Sequence, residues 1–380
     1  MLRALREERG LSQKAVADAL GVDKPTISKW ECGKRGISPH HSKQIQEFFA
    51  KEDDMNRRSA LRLMGIVGLN AVSDAWSNDL LSMYERGVLA CLDLYYSGHT
   101  RQVEAILPLY LQQCAALAQQ SGPLQIPAAR LAAIAYIISC ELATDREDYS
   151  AAAMAGRRAI LYAQAAGNHE LQIAALLRLI DYHFHLCSSQ PLLIDVHSKN
   201  AIQCFEQAES LFTATMSPLL KGRVYAGAAE LYAMRGQLQE SMRFMGLAYE
   251  SYPRIPEEDP FYPYIRASRY SLYVFGDAQS RLFLHQPDEA ARALEAMEKE
   301  SNDPEREPIT KVDLLYYQTE IQCQREEREA YVTALVEAAE LARKINSRLY
   351  FNKLAASYYR AKQRWGKDPS LSAVEEVFRL

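Results

Sequence analysis

The 380 residues contain no GxxxxGKS/T phosphate loop, no GxGxxG, no GxSxG and no HExxH. Phosphate cradles, nucleophile elbows and zinc-protease helices all need such spacings, so nothing points to those enzyme chemistries. The carboxylate pairs Glu257-Glu258, Glu326-Glu327 and Glu375-Glu376 adjoin polar joints or helix faces, with no base beside them to make an acid–base couple. No catalytic residue, cofactor or metal is therefore expected. The seven cysteines, at 32, 91, 114, 140, 187, 204 and 323, form no CxxC pair. An odd, scattered set inside apolar stretches reads as reduced, buried thiols in a cytoplasmic protein. His40-His41 and His183-x-His185 lack the i, i+4 spacing that would converge on one metal. There is no N-terminal signal, and no apolar run long enough to span a membrane is expected. Strand-like alternation of Val, Ile and Thr is missing as well, which leaves an all-α chain.

What is present begins at residues 12–35, SQKAVADALGVDKPTISKWECGKR. Ser12 can cap a helix that turns Val16, Ala17 and Leu20 to one side. Gly21 allows a tight turn. Asp23 can cap a second helix with Pro25 in its first turn, where no hydrogen bond is lost. Ile27 and Trp30 then face inward and Lys24, Thr26, Ser28 and Lys29 face outward. LSQKAVADALGV and TISKWECGK, across about residues 2–50, resemble the helix-turn-helix of the phage-repressor or Xre family. The resemblance implies that Gln13 touches phosphate and that Lys24, Pro25, Thr26, Ser28 and Lys29, with Lys34 and Arg35 following, meet base edges or backbone. By chemistry alone, Lys suits guanine O6/N7 or phosphate, and Thr or Ser suits either. The first helix, Leu2 to Arg9, is about a turn shorter than usual in that family, from which an earlier translation start is expected.

Residues 1–60 hold twelve Lys and Arg against nine Asp and Glu, and the remainder 32 against 39. A weakly basic head on an acidic body confines DNA contact to the head, and one copy should bind poorly, so a homodimer is expected. The closing helix 39–50 turns Ile45, Phe48 and Phe49 inward, and Lys51-Glu52-Asp53-Asp54 marks the boundary. We expect a helix-turn-helix domain over 1–52, a linker helix over 53–77 and a repeat domain over 78–380. Asn56-Arg57-Arg58-Ser59, followed by ALRLMGIVGLNAV, imitates a twin-arginine leader. Its place behind a complete head, and its short apolar core from Leu61 to Val72, favour the linker helix over export after initiation at Met55.

From about Asn78 apolar residues recur at three and four. Expected helix pairs are 78–96 with 101–120, 125–143 with 147–166, 169–187 with 198–214, and 218–235 with 237–251. They continue as 262–285 with 287–300, 309–325 with 327–345, and 348–364 with 370–379. Joints at Gly122, Gly167, Ser217, Pro260, Pro308 and Asn346 recur at 38 to 50 residues, the quasi-period of a solenoid. Residues 222–253 resemble a tetratricopeptide unit, with Tyr225, Ala228, Ala229 and Tyr232 on one face, a turn at Gly236, Ala248, and Pro253 as terminator; Ser241 and Met245 depart from the pattern. The expected fold is all-α, a small helix-turn-helix domain followed by a right-handed α-solenoid of tetratricopeptide-like helix pairs.

In such a solenoid the first helix of each pair lines an inner groove suited to an extended peptide. The candidates there are Arg178, Asp181, Tyr182, His185, Arg223, Glu230, Arg266, Arg269, Tyr270 and Tyr273, then Tyr317, Gln318, Asn352 and Tyr359. Arg can clamp a carboxylate and Asn or Gln a peptide unit, although tyrosines at such spacings also fill gaps between repeats. Twenty-two tyrosines against three tryptophans fit a groove of polar-tipped rings. The order of head and repeats resembles the peptide-pheromone-responsive regulators of the Rgg, PlcR and PrgX type. That resemblance implies quorum sensing by a cytoplasmic homodimer that binds a short peptide and an inverted-repeat operator in double-stranded DNA, with no membrane role. The rivals are an adaptor whose groove binds a partner protein and a regulator that docks on an enzyme.

Overall fold

A computed structural model describes residues 13–20, 22–31, 41, 74–189, 191–300, 308–366 and 368–378. Leu2–Arg9, Ser12, Gly21, Cys32, Lys34, Arg35, the closing helix apart from His41, and the linker as far as residue 73 lie outside them. The chain divides into two compact units, Met1–Val72 and Ser73–Leu380, and every described element is helical.

In the first unit α1 (Gln13–Leu20) and α2 (Lys24–Glu31) pack through Val16, Ala17, Leu20, Ile27 and Trp30. Asp23 caps α2, its Oδ1 accepting the Thr26 N–H at 3.0 Å. Hydrogen bonds from the Thr26 hydroxyl and then its N–H hold the Asp23 carboxyl below its usual range.

The second unit runs α3 (Asp74–Tyr96), α4 (Thr100–Ala118), α5 (Gln125–Asp145), α6 (Tyr149–Ala165), α7 (His169–Ser189), α8 (Ile194–Ser210), α9 (Pro218–Met234) and α10 (Leu238–Ser251). Short segments α11 (Tyr262–Ile265), α12 (Arg269–Ser271) and α13 (Gln279–Phe283) follow. Then come α14 (Pro287–Glu300), α15 (Pro308–Arg325), α16 (Arg328–Lys344), α17 (Arg348–Trp365) and α18 (Ser372–Phe378). Consecutive helices pack as antiparallel neighbours, and α3, α5, α7 and α9 also touch one another to form an inner layer. Helices α5 and α9 are buried nearly all round. Contrary to the sequence expectation, α5 is long and apolar enough to cross a membrane by length and composition. Most of that span is buried among its neighbours, as in a core helix.

The turns share one backbone device. At Gly98, Glu147, Gly167, Gly236, His285, Glu326 and Asn346 φ is positive. Each of these residues donates its N–H three residues back, and its successor donates five back: Gly98 to Tyr95 and His99 to Leu94, Asn346 to Arg343 and Ser347 to Ala342. This left-handed cap satisfies the last carbonyls of one helix and launches the next. Only three of the seven are glycines, so four of the turns carry no glycine to announce them in the sequence.

The expected single helix 262–285 is broken. Arg266 is left-handed, φ 47°, and stops α11 by donating its N–H to the Tyr262 carbonyl at 2.8 Å. The chain restarts at α12, widens into a π-helical stretch over Leu272–Ala278, and ends in α13. Within that stretch, a Cβ at Gly276 would lie 3.1 Å from Met245 and 3.2 Å from Ala226, so the bulge presses closely on α9 and α10.

The inner groove expected from the sequence is bounded, because the last helices reach back onto the first. Thr100 Oγ1 donates to the Ile345 carbonyl at 3.3 Å. Ser347 Oγ donates to Asp145, and Asn352 donates to Glu147. Arg266 pairs with Asp93 of α3, and Arg130 donates to the Tyr264 hydroxyl at 2.5 Å. Ser347 also caps α17 by accepting the Tyr350 N–H. Ser347→Ala should therefore remove a cap and leave the buried Asp145 carboxyl short of a donor, costing roughly 2–4 kcal/mol. Urea unfolding of the variant measures this; a loss within 0.5 kcal/mol, about the range of ordinary surface substitutions, would mean that the closure does not depend on Ser347.

Candidate functional site

In the head, Lys24, Pro25 and Lys29 are exposed and Thr26 and Ser28 half-buried, so α2 presents a continuous polar face. The amide of Gln13 donates to Glu31 Oε2 at 2.7 Å, tying the start of α1 to the end of α2. One of its two amide hydrogens is thereby spent inside the domain.

In the body the inner faces of the helices line a cavity of about 800 Å³ that opens to solvent. The residues lining it come from α3 and from the first helix of every later pair, with one wall supplied by the broken 254–273 segment. Of the expected groove residues, Arg178, Arg223, Glu230, Arg266, Arg269, Tyr270 and Tyr273 line it, as do Asp181, His185 and Tyr317. Tyr182, Gln318 and Asn352 do not. Tyr182 packs on Tyr149 and His183, Asn352 is spent on the closure, and Tyr359 is exposed.

A charge ladder crosses the inner layer. Arg178 of α7 lies 2.9 Å from both Glu141 of α5 and Asp181. Arg223 of α9 lies 3.4 Å from Asp181 and 3.2 Å from Glu230. Arg223 is 7% exposed and Glu230 4%. Arg223 is thus committed to the fold, since removing one partner of a buried pair costs about 3–5 kcal/mol. Arg266, likewise, is paired with Asp93.

Glu141, Asp145, Asp313 and Lys353 were not singled out in the sequence, yet all four line the cavity. The signal was a charge embedded among core residues: Val312 and Leu314 flank Asp313, and both are buried. The sequence also gave no sign of an acid with a raised pKa. Burial pushes Glu230 up to about 8 against the pull of Arg223, and Asp145 up to about 6 despite the bond from Ser347. Asp313 is raised and Lys353 lowered, in both cases chiefly by burial. His183 is pushed down to about 4 by burial and by His197. Cys91, Cys114 and Cys140 rise to about 12, so these thiols stay protonated.

Residues 2–54 match the helix-turn-helix family HTH_3. A comparison with curated proteins gives no match. The polar face of α2 and this match make the chain a DNA-binding transcription regulator.

Two outcomes follow from this geometry. Lys24→Ala and Lys29→Ala should each weaken binding to an operator selected from random duplexes, by roughly 1–3 kcal/mol where the lysine reads a base. Fluorescence anisotropy measures the loss, and unchanged affinity in both would remove α2 as the reading helix. The second outcome is a pH dependence of stability. A carboxyl whose pKa is raised on folding binds its proton more tightly in the folded state, so its contribution falls as pH rises. Below about pH 6.5 the neutral histidines oppose this, since the folded state resists their protonation. Between about pH 6.5 and 8 Glu230 contributes up to one proton, with Asp313 shifted the same way and Lys353 the opposite way by burial. Unfolding free energy should fall there by up to roughly 1.4 kcal/mol per unit, and Glu230→Gln should flatten the slope. Urea melts across this window test it; a rise with pH would contradict it.

Proposed function

We propose that the body senses a short peptide in this cavity and thereby alters how two heads of a cytoplasmic homodimer sit on an inverted-repeat operator. The observation that carries this reading is the cavity itself. Its volume is that of a small-ligand site. Seven tyrosines and balanced charges of both signs line it, a surface suited to a molecule that is alternately apolar, amide-like and charged. The stacking of helix pairs supports kinship with tetratricopeptide-like sensors of the Rgg, PlcR and PrgX type. In residues 222–253, Tyr225 and Tyr232 stack on Phe244 from either side of the expected face.

Dimerisation rests on the weak charge of the head: phosphate contacts supply most non-specific affinity, and two copies double them.

The test uses the full-length chain and a synthetic pool of tetrapeptides with free termini. Peptides retained through gel filtration are identified by mass spectrometry, then added singly to an operator titration. At least one retained sequence should shift operator affinity severalfold, since an effector acts only through differential affinity for two states. Retention of none, or retained peptides that leave operator affinity unchanged, would refute peptide sensing. A strictly monomeric protein by light scattering, alone and on DNA, would refute the dimer.

A further inference from the structure

Most charges around the cavity have partners in the ladder, but one opposite pair does not. Asp313 of α15 is 3% exposed, and its Oδ1 has no hydrogen-bond partner among the described residues. Lys353 of α17 makes no hydrogen bond or ion pair among the described residues; its ammonium lies over the Tyr350 and Tyr316 rings, 5.1 and 5.3 Å from their centroids. Both side chains line the cavity. They are close enough to influence each other's proton affinity, yet they lie beyond the 4.0 Å at which they would form an ion pair.

A buried carboxylate oxygen without a donor is costly, while the half-buried Lys353 keeps its ammonium open to the cavity. Direct contact would satisfy the carboxylate. Held apart, they leave one acceptor and a set of donors facing the same space. The surroundings fix the sign of what fits. Around the inner wall Glu141, Asp145, Asp181 and Glu230 join Asp313, against Arg178, Arg223 and Lys353, so this end is short of positive charge. A carboxylate or phosphate would answer Lys353 but face the acids. An ammonium followed by a carbonyl answers both groups.

We propose that Asp313 and Lys353 form a subsite for the amino-terminal unit of the bound peptide. The free α-ammonium donates to Asp313 Oδ1, and the first carbonyl oxygen accepts from Lys353 Nζ. Arg254 of the broken segment lies on another wall of the same cavity and draws the carboxylate end toward itself. The cavity thus prefers peptides with unblocked amino termini. This inference rests on the peptide-sensing reading above.

The test compares the tetrapeptide pool with the same pool acetylated at the amino terminus, on the full-length chain. Free peptides should be retained and acetylated ones at least tenfold less, a comparison that needs no variant. Asp313→Asn should bind the retained peptides at least tenfold more weakly, keep the operator affinity of the peptide-free protein, and melt no lower than wild type. A merely structural Asp313 would give a lower melting temperature on substitution, and that result would overturn the assignment. Equal retention of acetylated peptides, or undiminished binding by Asp313→Asn, would overturn the subsite and leave peptide sensing standing. Retention of neither pool would remove both.

Discussion

Five charged side chains, Arg223 and Glu230 buried and the other three partly so, set the terms for the body. Glu141, Arg178, Asp181, Arg223 and Glu230 alternate in sign across α5, α7 and α9. Each ion loses several kcal/mol of hydration on burial, and recovers it only while its neighbours stay within contact distance. A shift of one helix by one turn would orphan a charge, so the ladder fixes the register of the inner layer. Close approach makes this possible. Ala128, Ala132, Ala135, Ala174, Ala175, Ala226 and Ala229 are all fully or nearly fully buried along these helices. At Gly156 an added Cβ would fall 2.4 Å from Leu179, so α6 can lie directly against α7. Small side chains bring the backbones together, and the long charged ones bridge what remains.

The body's helices were largely legible in the sequence because they follow from local rules. The three-and-four recurrence marks α3 to α10 within a few residues, and Ser217 and Pro218 mark the start of α9, with Ser217 Oγ accepting the Leu220 N–H. The break at Arg266 was not legible, since neither Gly nor Asn occupies the left-handed position and the periodicity runs on through it. Closure left no trace either. Asp145 and Ser347 meet across 202 residues, and each reads locally as an ordinary helix-end polar residue. The cavity residues divide in the same way. Arginines and tyrosines on first helices were found by position in the pair, whereas Asp313 and Lys353 become distinctive only once burial is known.

Closing the body changes what kind of recognition it can perform. An open superhelical groove reads a long strand through many weak, similar contacts. A bounded one offers a short molecule polar and apolar contacts from several helices at once. The broken segment fits that role. Its π-helical stretch and left-handed Arg266 are departures from regular helix of the kind that gather at ligand sites. They turn arginine and tyrosine side chains inward where a continuous helix would have carried some of them past the cavity.

The order of synthesis gives the closure a further meaning. Chains fold in the direction in which they are made, at about 5–20 residues per second, so Asp145 leaves the ribosome roughly 10–40 s before Ser347, the residue it needs. Throughout that interval the head can already be complete while the cavity has only one wall. On the sensing proposed above, a nascent regulator is able to find DNA before it is able to hear any signal, and responsiveness is acquired at the end of translation.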